Sequence, residues 1–74
     1  TPTGRLLREE LAAKIREAMD KLSPKHRQVL VLRELEGMSY QEIADVVDIS
    51  IGTVMSRLHH ARKKMQARLA PYLN

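Results

Sequence analysis

Seventy-four residues and 8.5 kDa leave room for one domain, near the lower limit at which an apolar core holds without covalent or metal staples. The chain has no cysteine, which excludes disulfides and thiolate metal sites, so stability has to come from helix packing, as suits a reducing, cytoplasmic setting. The longest apolar run, Val29-Leu30-Val31-Leu32, is far too short to span a membrane, and the first residues lack a signal-peptide pattern, so a soluble, intracellular domain is expected. The net charge of +4 favours an acidic partner, and its distribution says more than its total. Residues 1–49 nearly balance, whereas Arg57, Arg62, Lys63, Lys64 and Arg68 face no acid anywhere in residues 50–74.

In chain order, Thr1-Pro2-Thr3-Gly4 has the composition of a linker remnant, and the folded domain is expected over residues 5–74. From Arg5 the spacing of Leu7, Leu11, Ile15, Ala18 and Leu22 predicts a first helix of about 17 residues. Leu6, Ala12 and Met19 widen its apolar surface beyond what one neighbouring helix covers, which leaves part of it for a partner protein. Ser23-Pro24 opens a second helix, with Ser as the cap and Pro at the position where a missing amide hydrogen costs nothing. That helix is expected to carry Val29, Leu30, Leu32 and Leu35 inward and to close at Gly37 in a left-handed conformation.

Ser39-Tyr40-Gln41-Glu42 is a capping box for a short third helix that buries Ile43, Ala44 and Val47 and breaks at Asp48-Ile49-Ser50. Ser50 caps a longer fourth helix with the stripe Val54, Leu58, Ala61, Met65 and Leu69, which Pro71 is expected to end. There is no internal repeat and no alternating strand pattern. The expected fold is all-α, a small four-helix domain without a wing.

A short helix, a three-residue break and a longer basic helix describe a helix-turn-helix, whose second helix enters the major groove while the first crosses the DNA backbone. Ala44 is small where the two helices cross, Ile49 plugs the turn, and Val54 anchors the second helix on the first. Thr53, Met55, Ser56, Arg57, His59, His60, Arg62, Lys63 and Lys64 all lie off the apolar stripe, where a groove-reading helix needs its polar and cationic side chains. A purely structural bundle shares the same hairpin pattern, and a solvated basic face would account for the charge alone.

Residue identities narrow the choice. Leu22-Ser23-Pro24, Arg27-Gln28-Val29, Leu32-Arg33, Glu36-Gly37-Met38-Ser39-Tyr40, Glu42-Ile43-Ala44, Ile49-Ser50-Ile51-Gly52-Thr53-Val54-Met55-Ser56-Arg57-Leu58 and Ala61-Arg62 together resemble region 4 of sigma-70-type factors. The likeness is to the extracytoplasmic-function (ECF) group in particular and covers about residues 15–69. It implies a transcription initiation domain that recognises the promoter minus-35 element while docked on the β-subunit flap of core RNA polymerase, typically masked by an anti-sigma factor.

Residue by residue, the resemblance implies phosphate contacts at Arg33, Tyr40, Gln41, Gly52, Thr53 and Arg57, with diffuse attraction from Arg62, Lys63 and Lys64. Base edges fall to Met55, Ser56, His59 and His60. Arg33 has an alternative in stabilising the end of the second helix, and Tyr40 in packing its ring on the bundle. Two positions depart from the family pattern: Asp48 stands where Gly is usual in the turn, and His60 where Arg is common.

Other classes fit less well. No Gly-rich phosphate loop, cysteine nucleophile or core large enough for a buried acid-base pair is present, so neither an enzyme nor a cofactor is expected. His59 and His60 point about 100° apart on a helix and have no acidic or thiol ligand nearby, so no metal is expected. The rival is the output domain of a self-sufficient dimeric regulator, but no dimer helix is evident after Pro71. The isolated domain is expected to be monomeric.

Overall fold

The computed structural model describes residues 2–73, with side chains for all of these except Pro2, Thr3, Arg5 and Leu6. Three serines set its helix starts. Ser23 accepts from the His26 amide at 3.4 Å, Ser39 from the Glu42 amide at 3.0 Å and Ser50 from the Thr53 amide at 3.1 Å. Each bond satisfies a donor that the first helical turn leaves without a carbonyl. At Ser39 the exchange is reciprocal, because the Glu42 carboxylate accepts from the Ser39 amide at 3.0 Å, which holds the Glu42 carboxyl below its ordinary pKa.

The described residues form α1 (Pro2–Asp20), α2 (Pro24–Leu30) running on into a π-helical segment (Val31–Leu35), α3 (Tyr40–Val47) and α4 (Ile51–Leu73), with no strand among them. The all-α expectation holds. Both left-handed turns also fall where the composition puts them, Gly37 at φ 70° and Asp48 at φ 60°. Across Asp48 the Ile49 amide bonds back to the Ala44 carbonyl at 3.0 Å, a Schellman-type closure that turns the chain sharply from α3 into α4. Asp takes this conformation at less cost than most side chains, so the departure from Gly leaves the turn intact.

Leu22, Val29, Leu30, Ile43, Ala44, Val54, Leu58 and Ala61 make one buried cluster, with Met19, Leu32, Met38, Tyr40, Val47, Ile49 and Met65 packed around it. α4 is the element the others share, packing on α1, α2 and α3. Arg68 ties it to the end of α1 by donating to the Ala18 carbonyl at 3.2 Å.

The structure corrects the sequence reading at three places. Helix α1 starts at Pro2, not Arg5, so Pro2–Gly4 are helical rather than tether-like; Thr1 lies outside the described residues, and Leu6 outside the described side chains. Only the C-terminal part of its stripe reaches the core: Ala18 is buried, whereas Leu7 and Ile15 are exposed.

The second helix widens to a π-helix over Val31–Leu35, closed by Glu36 and Met38 amides on the Val31 and Leu32 carbonyls at 3.1 Å each. The wider turn shifts the phase of the stripe, and Leu35, expected inside, is 71% exposed. Finally, α4 continues through Pro71 to Leu73. So near the terminus Pro gives up a single ladder bond, and the Lys14 ammonium, 5.1 Å over the Tyr72 ring, ties the last turn to α1.

Ala44 is 5% exposed where α3 crosses α4. Ala44→Leu forces extra methylenes into that crossing and is expected to destabilise the domain by about 1 to 3 kcal/mol. Thermal denaturation checks this, and an unchanged melting temperature would mean the crossing tolerates bulk that its geometry forbids.

Candidate nucleic-acid interface

The apolar stripe of α4 decides which of its other residues face outward. Val54, Leu58 and Ala61 are at most 1% exposed, so the opposite side of the helix is turned fully to solvent. At about 100° per residue, Ser56 and Lys63 stand roughly opposite the stripe. Met55 and His59 lie toward α3, and Arg57 and His60 toward α2. Met55, Ser56, His59, His60, Lys63 and Lys64 are all exposed.

On the α3 side, Met55, His59, Arg62, Lys63 and Gln66 enclose with Tyr40 an open concavity of about 360 Å³. Tyr40, at the start of α3, has its ring packed partly on the core and lies 5.1 Å beneath the Arg33 guanidinium. Arg33 also donates to the Met38 carbonyl at 2.8 Å, so it secures the turn between the π-helical segment and α3. The Tyr40 ring thus packs on the bundle, while Arg33 binds the turn beyond the second helix. Arg62 donates to the Glu34 carboxylate at 2.8 Å, with both side chains about half exposed. Gln41 is exposed and donates to Asp45 at 2.9 Å.

At the start of α4, Thr53 is half-buried, its hydroxyl 2.9 Å from that of Ser50. Gly52 is exposed, and a Cβ there would meet only Ser50 Oγ at an ordinary 3.8 Å. Nothing within the chain demands glycine at this position.

On the α2 side a residue that the sequence reading did not single out joins the site. The His26 ring stacks on His60, centroids 5.8 Å apart and planes 26° from parallel. Its Nδ1 is buried with no hydrogen-bond partner among the described residues. Burial, then the charges of Lys64, His60 and Arg57, push its pKa below the ordinary histidine value. Gln66 was missed as well. Neither carries a sequence signal, since what recruits them is the packing of α2 and α3 on α4. No group of three or more potential metal ligands clusters among the described residues.

A helix-turn-helix with a polar, basic recognition face is a DNA-binding domain. Comparison with known proteins identifies the kind: the family model described as "Sigma-70, region 4" matches residues 12–65. The RNA polymerase sigma-H factor of Pseudomonas aeruginosa is 38% identical over 73 residues, covering 99% of this chain and 38% of its own. The ECF RNA polymerase sigma-E factor of Haemophilus influenzae is 34% identical over 73 residues, covering 99% of this chain and 39% of its own. The ECF RNA polymerase sigma factor SigE of Mycolicibacterium smegmatis is 39% identical over 62 residues, covering 84% of this chain and 24% of its own. The chain belongs to the sigma-70 region 4 family, in its ECF group, and spans less than two fifths of the length of these relatives. That membership favours the sigma-factor resemblance over the output domain of a dimeric regulator. No helix among the described residues is long and apolar enough to cross a membrane.

Because the folded state disfavours protonated His26, the unfolded chain binds more protons as the pH drops, and the stabilisation is lost in that direction. The contribution is present above about pH 6.5, the ordinary value, and disappears as the pH falls through the depressed one. Thermal melts from pH 7.5 to 5 are expected to show the loss in the parent and a smaller one in His26→Phe. Identical pH profiles for the two would contradict the enclosure of its Nδ1.

Proposed function

We propose that the chain recognises the minus-35 element of promoter DNA, as a monomeric domain in the cytoplasm, while docked on core RNA polymerase. The observation that carries this reading is the rotation of α4, whose buried stripe leaves Ser56, flanked by Met55 and His59 on one side and His60 on the other, facing outward. A helix inserted in the major groove meets base edges with that face, where Ser and His hydrogen-bond and Met touches a thymine methyl.

The phosphates on either side fall to the flanks. Tyr40 and Gln41 stand at the start of α3, and Gly52 and Thr53 at the start of α4, where amide hydrogens face an anion and the missing Cβ lets the backbone approach. Arg57 lies on the α2 flank, and Arg62 and Lys63 border the Tyr40 concavity with Arg33 behind its ring. An ion pair as exposed as Arg62–Glu34 contributes at most about 1 kcal/mol, so a phosphate can take the place of Glu34 at small cost.

Phosphate and base contacts fail differently, because only the second kind depends on sequence. Arg57→Ala is expected to weaken binding to every duplex alike and to lower the slope of log affinity against log salt by about one unit. Ser56→Ala is expected to narrow the gap between the best and a scrambled site by about 1 kcal/mol or more. Selection from a randomised duplex pool with core polymerase present measures both. If Arg57→Ala changes the chosen bases and Ser56→Ala does not, this orientation of α4 is wrong.

Docking on polymerase falls to a second surface, which adjoins the Tyr40 concavity at Arg62 and Gln66. Ile15, Met19, Leu30, Leu35, Met65, Leu69 and Leu73 line an apolar groove of about 390 Å³ between α1, the π-helical segment and α4. We assign it to the β-subunit flap of core polymerase, and to an anti-sigma factor that competes for it. Exposed contiguous apolar surface of this kind marks a protein-protein site. Leu35→Glu, at an exposed position, is expected to leave the melting temperature and duplex binding unchanged while lowering affinity for core polymerase at least tenfold, read by sedimentation or interferometry. Undiminished core binding would remove the groove from the account.

A further inference from the structure

His60 is held before any DNA arrives. Its ring is stacked on His26 from α2, 5.8 Å away at 26°, and meets His59 edge-on at 5.5 Å and 70°. A surface histidine on a helix ordinarily turns about two side-chain bonds, and ordering it at an interface lowers affinity. Here the contacts on two sides restrict it in the fold.

His26 sits in the first turn of α2, where its backbone amide donates to Ser23 Oγ and its Nδ1 is enclosed without a hydrogen-bond partner among the described residues. The charged groups facing it, Arg57, His60 and Lys64, all come from α4 and are all basic or able to become so. A neutral ring is therefore the form that fits, and it stacks on His60 without repulsion.

We propose that His26 is a positioning residue for DNA reading: by stacking on His60 it fixes which edge of that imidazole faces the bases, so that base preference there is set by α2 together with α4. The proposal rests on the reading of α4 as the groove helix. It makes specificity at one base position depend on a residue outside the helix-turn-helix.

The experiment compares site selection from a randomised duplex pool, with core polymerase present, for the parent and for His26→Ala, His26→Phe, His60→Ala and the double alanine variant. His60→Ala is expected to flatten the preference at one base position by about tenfold, the weight of a single base contact. His26→Ala flattens the same position by at least threefold, the double variant no more than His60→Ala alone, and His26→Phe, which restores a stacking ring, stays within twofold of the parent. Helicity and melting temperature are recorded for each. Should His26→Ala fail to fold, the DNA-free proton spectrum of His60 in His26→Phe and the parent decides, since a ring stacked on it shifts its Cε1 proton upfield.

If His60→Ala flattens the preference and His26→Ala leaves it intact, the positioning role is overturned and the groove reading stands. If His60→Ala changes no base preference, the placement of His60 in the groove fails and the proposal goes with it. A His60 resonance at its random-coil position in both folded proteins also overturns the stack.

Discussion

Burial of one stripe of α4 is the constraint on which the rest depends. Val54, Leu58 and Ala61 are gripped by α2 and α3 at once, and a helix gripped from two directions cannot rotate about its axis without exposing apolar surface. Its outward residues are therefore set by the core and not by their own affinities. Ser56 and Lys63 face out because Val54 and Ala61 face in. The face proposed to meet DNA is in this sense a by-product of packing, which is why a domain of this size can present it with little else to hold it.

Two local devices keep that constraint in place. The left-handed Asp48, closed by the Ile49 amide on the Ala44 carbonyl, sends α4 off at an angle that places Ala44 at the helix crossing. The π-helical turn after α2 does the converse: it places Arg33 to brace the next turn through Met38 and Tyr40, and it releases Leu35 to solvent. The molecule thus carries two surfaces that meet at Arg62 and Gln66, a polar one along α4 toward α2 and α3, and an apolar groove between α1 and the C-terminal part of α4. Under the proposed function the polar surface meets promoter DNA and the apolar groove meets polymerase.

What was legible in the sequence had a local cause. The serine caps, the Gly37 and Asp48 turns and the α4 stripe each depend on a few neighbouring residues, so composition and spacing announce them. The start of α1 is hidden because Pro and Gly read as breakers, although Pro is well accommodated in a first helical turn. Pro71 misleads at the other end of the chain, since near a helix end the expected break has little left to break. A stripe counted at 3.6 residues per turn puts Leu35 on the inner face, and nothing in the spacing announces a π-turn. His26 stayed invisible as a site residue because its partner lies 34 positions away on another helix. The candidate contacts on α4 were legible as a set, whereas their division between the α2 and α3 flanks needed the tertiary packing.

The most direct test of the orientation of α4 is structural. In the complex of the chain with a minus-35 duplex, intermolecular nuclear Overhauser effects report which side-chain protons lie within about 5 Å of which base protons. Contacts are expected from Met55, Ser56, His59 and His60 to thymine methyl and cytosine H5 protons, which line the major groove, and none from the apolar groove residues Ile15 and Leu35. Base-proton contacts confined to α1 or α2, with those four side chains silent, would contradict it.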